Sequence, residues 1–181
     1  MTGAEASIVA AIFSFMSAVW SSFAAERARN IGAKRNLVES DFKEISRLLW
    51  SVVAYSVKAS NAGNDLKFDE FVDLANNSAK KLEELRIQHR IILYPVFDAI
   101  GALEQTPIFV KNLRNERIAI KDENAQNTRN EQIIDTANKL RFLIDRGFYS
   151  IYFKGKPPDT ITRVQLSRSS KKLRKAFERF G

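Results

Sequence analysis

Three places in this chain hold side chains whose types and spacing suggest chemistry. Asp69, Glu70 and Asp73 set three carboxyls within five residues, and helical spacing puts Asp69 and Asp73 on one face, where a cation would meet oxygen ligands. His89 is the single histidine, and it stands near Arg86 and beside Arg90. Lys154-Gly-Lys156 carries two cations around a glycine.

None of the three completes a site. Carboxylate metal centres in helical bundles combine Glu residues with Glu-x-x-His elements from facing helices, and His89 has Arg86 three residues before it instead. Acids in a first helical turn are favoured by the helix dipole without any ligand. A general base needs a nucleophile or a positioned water and an orienting acid, none of which the neighbourhood of His89 supplies. Lys154-Gly-Lys156 is too short for a phosphate loop, and the chain holds no G-x-S-x-G or H-E-x-x-H. The expectation is no catalytic residue, no metal, no cofactor and no enzyme activity, with His89 at a core edge or between helices.

The strongest pattern lies at the start, where residues 7 to 25 sort by size onto two faces of a helix. Counted in sevens, one face holds Ser7, Ala10, Ala11, Ser14, Ser17, Ala18, Ser21, Ala24 and Ala25, all alanine or serine. The positions between them hold Ile8, Val9, Ile12, Phe13, Phe15, Met16, Val19, Trp20, Ser22 and Phe23. No charge occurs from Ala6 to Ala25, a helix of ~30 Å, about one hydrocarbon thickness. Large side chains would face lipid while small ones let helix backbones approach closely. The reading is a single-pass membrane anchor whose association face is Ser7, Ala10, Ala11, Ser14, Ser17, Ala18 and Ser21.

Two other readings compete. Eleven of the twenty residues from Ala6 to Ala25 are Ala or Ser, so the hydropathy is modest and a buried soluble helix fits too. A cleaved signal peptide fits less well, because a positive leader is missing and Glu5 stands in its place. Arg27, Arg29, Lys34 and Arg35 follow the segment, so the positive-inside rule places the N-terminus outside and the rest in the cytoplasm. The layout is similar to that of many bacterial inner-membrane proteins, and the inner membrane is the expected location. Zero cysteines exclude disulfides and thiolate metal sites.

The rest reads as all-α, a small antiparallel bundle of about four helices after the anchor. No proline precedes Pro95. The sevenfold phase continues through Val38, Phe42, Ile45, Leu49, Val52, Ser56 and Ala59, and Asn61-Ala-Gly-Asn64 stops it. A second helix starts after Asp65 and carries Phe68, Phe71, Ala75, Ser78, Leu82, Leu85, His89, Ile92 and Val96, with a kink or break near Leu93–Tyr94 ahead of Pro95. A third runs from Ile108 to about Glu123, and polar Lys121 to Glu131 is loop or exposed helix. The last spans Glu131 to Phe148, followed by a short extended piece at Tyr149–Phe153. Gly155-Lys-Pro-Pro-Asp159 is a turn. The expected organisation is an anchor over 1–25, a stem helix over 26–60, a bundle over 61–153 and a basic amphipathic tail over 154–181.

That tail is the second strong pattern. Residues 163–181 hold seven basic residues against Glu178, so +6 of the chain's net +8 is concentrated there. As a helix it sets Leu166, Leu173, Phe177 and Phe180 on one side. Arg168, Lys171, Lys172, Arg174, Lys175, Phe177 and Arg179 are the candidate contacts to an anionic lipid surface or a protein partner. The same residues also suit one more bundle helix. Nucleic acid is disfavoured, since no recognised fold or spaced stacking aromatics accompany the charge.

The function expected is a non-enzymatic, membrane-anchored interaction or scaffold protein that self-associates into a homo-oligomer. The alternative is a pore lined by Ser7, Ser14, Ser17 and Ser21. A third reading is a soluble basic helical protein that binds an acidic partner or nucleic acid.

Overall fold

The computed structural model describes residues 39–119 and 123–178, and earlier in the chain Met16, Ser17, Trp20, Ser21, Ser22 and Ala25. Contacts divide the chain into Met1–Ser40 and Asp41–Gly181. In the first unit the six described residues between 16 and 25 are helical and exposed. The anchor segment and its association face otherwise lie outside the described residues. Among the described residues no helix is long and apolar enough to cross a membrane.

Every element described in the second unit is helical. Helix α1 is described over residues 39–60 and buries Phe42, Ile45, Leu48, Leu49, Val52, Val53, Ser56 and Ala59, a stripe at three- and four-residue steps. It ends where expected: the Asn61 and Ala62 amides close on the Val57 and Ala59 carbonyls. Asn64 then opens α2 (Asp65–Gln88) by accepting the Lys67 amide on its side chain at 2.9 Å. The buried side of α2 is Phe68, Val72, Ala75, Ala79 and Leu82. Ala59, Phe68, Val72 and Val110 form one core cluster, so the α1–α2 corner closes against a later helix.

The break in the second segment comes earlier than proline alone predicts. Helix α2 stops at Gln88, and His89 takes a non-helical φ of −101°. A single turn, α3 (Arg90–Leu93), leads to a 3-10 turn at Tyr94–Val96 and then to α4 (Phe97–Glu104). Pro95 lacks an amide and its ring crowds the preceding turn, which accounts for the 3-10 stretch. The earlier break coincides with a tertiary contact, since His89 Nε2 lies 2.8 Å from Asp41 Oδ2.

Helix α5 (Thr106–Ala119) contributes Phe109, Val110 and Leu113 to the core. Helix α6 (Glu123–Lys154) is longer than expected in both directions. Its 32 residues reach about 48 Å and bury Ile133, Ala137, Leu140, Ile144 and Phe148. The extended piece expected at Tyr149–Phe153 is helical instead. Ring contacts of Tyr149 with Phe153 at 4.9 Å, and of Tyr152 with Phe42 at 5.2 Å, reward the helix and override the strand preference of aromatics. Gly155 at φ 60° makes the stop, a left-handed conformation that a side chain would strain.

Helix α7 (Thr160–Glu178) packs along α6 and α4, so the basic segment is a helix of the bundle. Thr162, Leu166, Ser170 and Leu173 are its buried side. The architecture is therefore finer-grained than four long helices, with α4 touching α2, α5, α6 and α7.

Candidate functional site

Of the places that suggested chemistry, the acidic one stays open to solvent. Asp69, Glu70 and Asp73 are exposed on α2, and the described residues hold no group of three or more metal-ligating side chains. Lys154 and Lys156 bracket the α6–α7 turn, where the Lys156 amide donates to the Ser150 carbonyl at 3.2 Å. The turn is closed by its own hydrogen bonds.

His89 sits between helices, as its place in the sequence suggested. Its ring pairs with Asp41 of α1 and faces Phe42, with ring centroids 6.5 Å apart. Phe42 in turn meets Phe148 edge-on at 5.0 Å and Tyr152 at 5.2 Å. The arrangement has a base and an acid but no described nucleophile, and its evident work is to fasten the start of α1 to the end of α2.

Sequence reasoning missed the most buried charges. Arg86 Nε and Nη2 each donate to one oxygen of Glu104 at 2.8 Å, a two-pronged pair joining α2 to α4. Only 12% of the Arg86 side chain and 5% of that of Glu104 are exposed. The guanidinium lies 4.3 Å from the centre of the Phe97 ring. Burial raises the Glu104 carboxyl above its ordinary value, although Arg86 opposes the rise. Gly101 leaves the room: a Cβ there would stand 3.4 Å from Arg86 Cζ. Arg86 follows Leu82 by four residues on the buried side of α2, but Glu104 lies beyond two interruptions of the helix, at His89 and at Tyr94–Val96.

A cleft of about 40 Å³ is lined by Ser60, Phe68, Val110, Leu113, Arg114 and Asn130. That is room for a few waters. Arg114 is already committed, donating to the Ala62 carbonyl at 3.3 Å and to Asp65 at 2.6 Å.

The basic helix is different in kind. Arg163, Arg168, Lys171, Lys172, Arg174 and Lys175 are all exposed, while Leu166 and Leu173 are 3% and 0% exposed beneath them. Among the described residues no carboxylate forms an ion pair with these six. Arg174 donates to the Asp98 carbonyl at 3.3 Å, and Arg163 reaches Thr160 Oγ1 at 3.5 Å. Arg168 with Lys171 and Lys172, and Lys171 with Arg174 and Lys175, are like charges at three- and four-residue spacing. Each such pair costs a helix about 0.2–0.5 kcal/mol.

The fold holds them in place from below and from the end. Asp159 caps α7: the Thr162 amide donates to one carboxylate oxygen at 2.7 Å and the Thr162 hydroxyl to the other at 3.0 Å. These bonds hold the Asp159 carboxyl below its ordinary value. Of the residues singled out for a lipid or partner contact, Arg168, Lys171, Lys172, Arg174 and Lys175 thus share a helix and stand in solvent. The side chain of Phe177, and Arg179, lie outside the described residues. No known family model matches this chain, and no characterised protein or solved structure compared with it matches either.

Proposed function

We propose that this chain is a non-enzymatic, membrane-anchored helical scaffold. Residues 6–25 anchor it and associate through the alanine and serine face, and the helical unit after Ser40 presents α7 to the anionic surface of the cytoplasmic leaflet. The anchor rests on sequence: a charge-free run of twenty residues followed by Arg27, Arg29, Lys34 and Arg35.

The observation that carries the surface reading is the six exposed cations of α7, unmatched by any described carboxylate, on a helix whose apolar side is already used. A solvated basic terminus would have no need of that support, whereas a docked helix presents its charges as a preformed array. Anionic lipid contributes about 1 kcal/mol for each Lys or Arg held near it. The array spans about 18 Å from Arg163 to Lys175 and matches a surface of many phosphates better than a single acidic group.

The test is binding of the full chain to vesicles of phosphatidylcholine with and without phosphatidylglycerol. Residence of α7 at the surface should require the anionic lipid and weaken as salt rises, because exposed charges are screened within about 8 Å at physiological ionic strength. Replacing Lys171, Lys172, Arg174 and Lys175 with glutamine should abolish the difference between the two lipids. Indifference of the wild-type chain to lipid charge would overturn the surface reading. The anchor is tested separately: a full-length chain that stays monomeric without detergent would overturn it.

A further inference from the structure

The corner where α6 turns into α7 leaves four large apolar side chains in solvent. Tyr149 and Phe153 on the last turns of α6 are 55% and 57% exposed, and Ile161 and Val164 on the first turns of α7 are 69% and 42% exposed. Leu166 and Leu173, a turn or two further along, are buried. Tyr149 and Phe153 are already stacked on each other at 4.9 Å, and the Lys154 ammonium lies 5.7 Å from the centre of the Tyr149 ring.

Two further observations say what covers this corner. The first is register. Ile161, Arg168 and Lys172 are spaced by seven and four, and so are Val164, Lys171 and Lys175, so each apolar residue heads a stripe of cations on the same face of α7. The apolar corner and the basic array are one continuous surface. The second is position. Phe42, in the first turn of the unit that begins at Asp41, packs on Tyr152. The corner therefore lies at the end where the chain enters this unit, opposite the Asn61–Asn64 turn.

We propose that the α6–α7 corner is a membrane-insertion element. Tyr149, Phe153, Ile161 and Val164 enter the interfacial layer of an anionic bilayer while Lys154, Lys156 and Arg163 meet the headgroups around them. Aromatic rings with lysine beside them are the composition of that layer, where an apolar body and a polar tip are both satisfied. This inference rests on the surface reading of α7 and adds depth and orientation to it: the helix lies along the leaflet with its first turns lowest.

The chain contains no cysteine, so single substitutions can carry a polarity-sensitive fluorophore without a background. Full chains bearing Phe153→Cys, Ile161→Cys, Ser167→Cys or Leu66→Cys, each labelled, are mixed with phosphatidylcholine vesicles with and without phosphatidylglycerol. Ser167 is exposed midway along α7, and Leu66 is an exposed apolar residue beside the opposite turn. Labels at 153 and 161 should shift to the blue and be quenched by spin-labelled lipid only where phosphatidylglycerol is present, while the label at 66 stays aqueous. Unlabelled Phe153→Ala combined with Ile161→Ala should weaken attachment to the anionic vesicles on the order of tenfold, from the apolar area withdrawn. A response at 167 without one at 153 and 161 would overturn insertion and leave the basic-face reading standing. No response at any of the four would overturn both. Equal responses on phosphatidylcholine alone, or at 66 as well, would show apolar adhesion without the anionic recognition proposed.

Discussion

Two arginine-bearing regions of this molecule treat charge in opposite ways. Between α2 and α4, Arg86 is enclosed, stacked on Phe97 and matched to both oxygens of Glu104. On α7, six cations face outward and no described carboxylate answers them. Charge that the fold itself uses is paired within the fold. On α7 no described carboxylate takes up the charge, and like-charge neighbours at three- and four-residue spacing set a cost against the helix.

The largest effect should come from breaking the paired region. Glu104→Ala removes the two-pronged partner of buried Arg86, leaves only the more exposed Glu83 at 3.9 Å, and should cost up to about 3–5 kcal/mol in urea unfolding. Arg86→Met combined with Glu104→Leu should recover most of that loss, since a buried pair often exchanges for apolar packing with little net change. A single-mutant cost under about 1 kcal/mol would mean that water reaches Arg86 and that the contrast with α7 is false.

The contrast also requires that α7 be held by its underside. Leu173 is fully buried, and Leu173→Ala should cost about 2–5 kcal/mol. If unfolding is unchanged, the basic segment is a loosely attached tail and the array is not preformed. Gly147 tests the same seam more gently: a Cβ there would come within 2.7 Å of Val96 Cγ1 and 3.3 Å of Pro158 Cγ. Gly147→Ala should cost about 1–3 kcal/mol through overpacking, and less only if Val96 can give way.

The inward face of α1 was legible in the sequence, and the paired region between α2 and α4 was not. The phase through Phe42, Ile45, Leu49, Val52, Ser56 and Ala59 named residues that are all buried, because a regular helix repeats its inward face whatever it packs against. The stops at Asn61–Asn64 and at Gly155–Asp159 were visible because Gly, Asn and Pro act locally. On α2 the inward face instead includes Val72 and Ala79, four residues after Phe68 and Ala75, while Phe71 is only half-buried; at 3.6 residues per turn a four-residue step lands about 40° from its start and a three-residue step about 60°. Arg86 with Glu104, 18 residues apart, and His89 with Asp41, 48 apart, depend on how the chain reverses. No local pattern reports that. The exposed face of α7 was legible as charge, and its support by Leu166 and Leu173 left open whether those leucines met a core or a lipid. The bundle took them.

Neutralising the array should barely move stability, in contrast to Glu104→Ala. Lys171→Gln, Lys172→Gln, Arg174→Gln and Lys175→Gln together remove several like-charge pairs and should raise stability by a few tenths of a kcal/mol up to about 1 kcal/mol. Vesicle attachment should fall at the same time. A stabilised variant with lost attachment would identify the array as functional charge carried at a cost to the fold. A destabilised one would show that the cations serve the bundle, and the difference between the two regions would disappear.

The smallest effect concerns two carboxyls shifted in opposite directions. Asp159 is exposed and held below its ordinary value by the Thr162 amide and hydroxyl, so its charged form favours the folded state. Its contribution is fully present above the unfolded value, 3.8 as the reference, and disappears as pH falls through the lower folded value. Glu104 is raised by burial, so the folded state holds its proton at a pH where the unfolded chain has released it. Its contribution runs the other way, growing as pH falls from the folded value toward the reference of 4.5 and constant below that. Between neutrality and about pH 4.5, Asp159→Asn should therefore unfold with nearly the wild-type pH dependence, and Glu104→Gln should lose the part in which acid stabilises the chain. Below the reference value of Asp159 the roles exchange, and the asparagine variant should become the less acid-sensitive one. Urea midpoints of the three proteins across that range decide it. If both variants follow the wild type throughout, neither carboxyl is shifted, and the cap that fixes the first turn of α7 is weaker than its two hydrogen bonds imply.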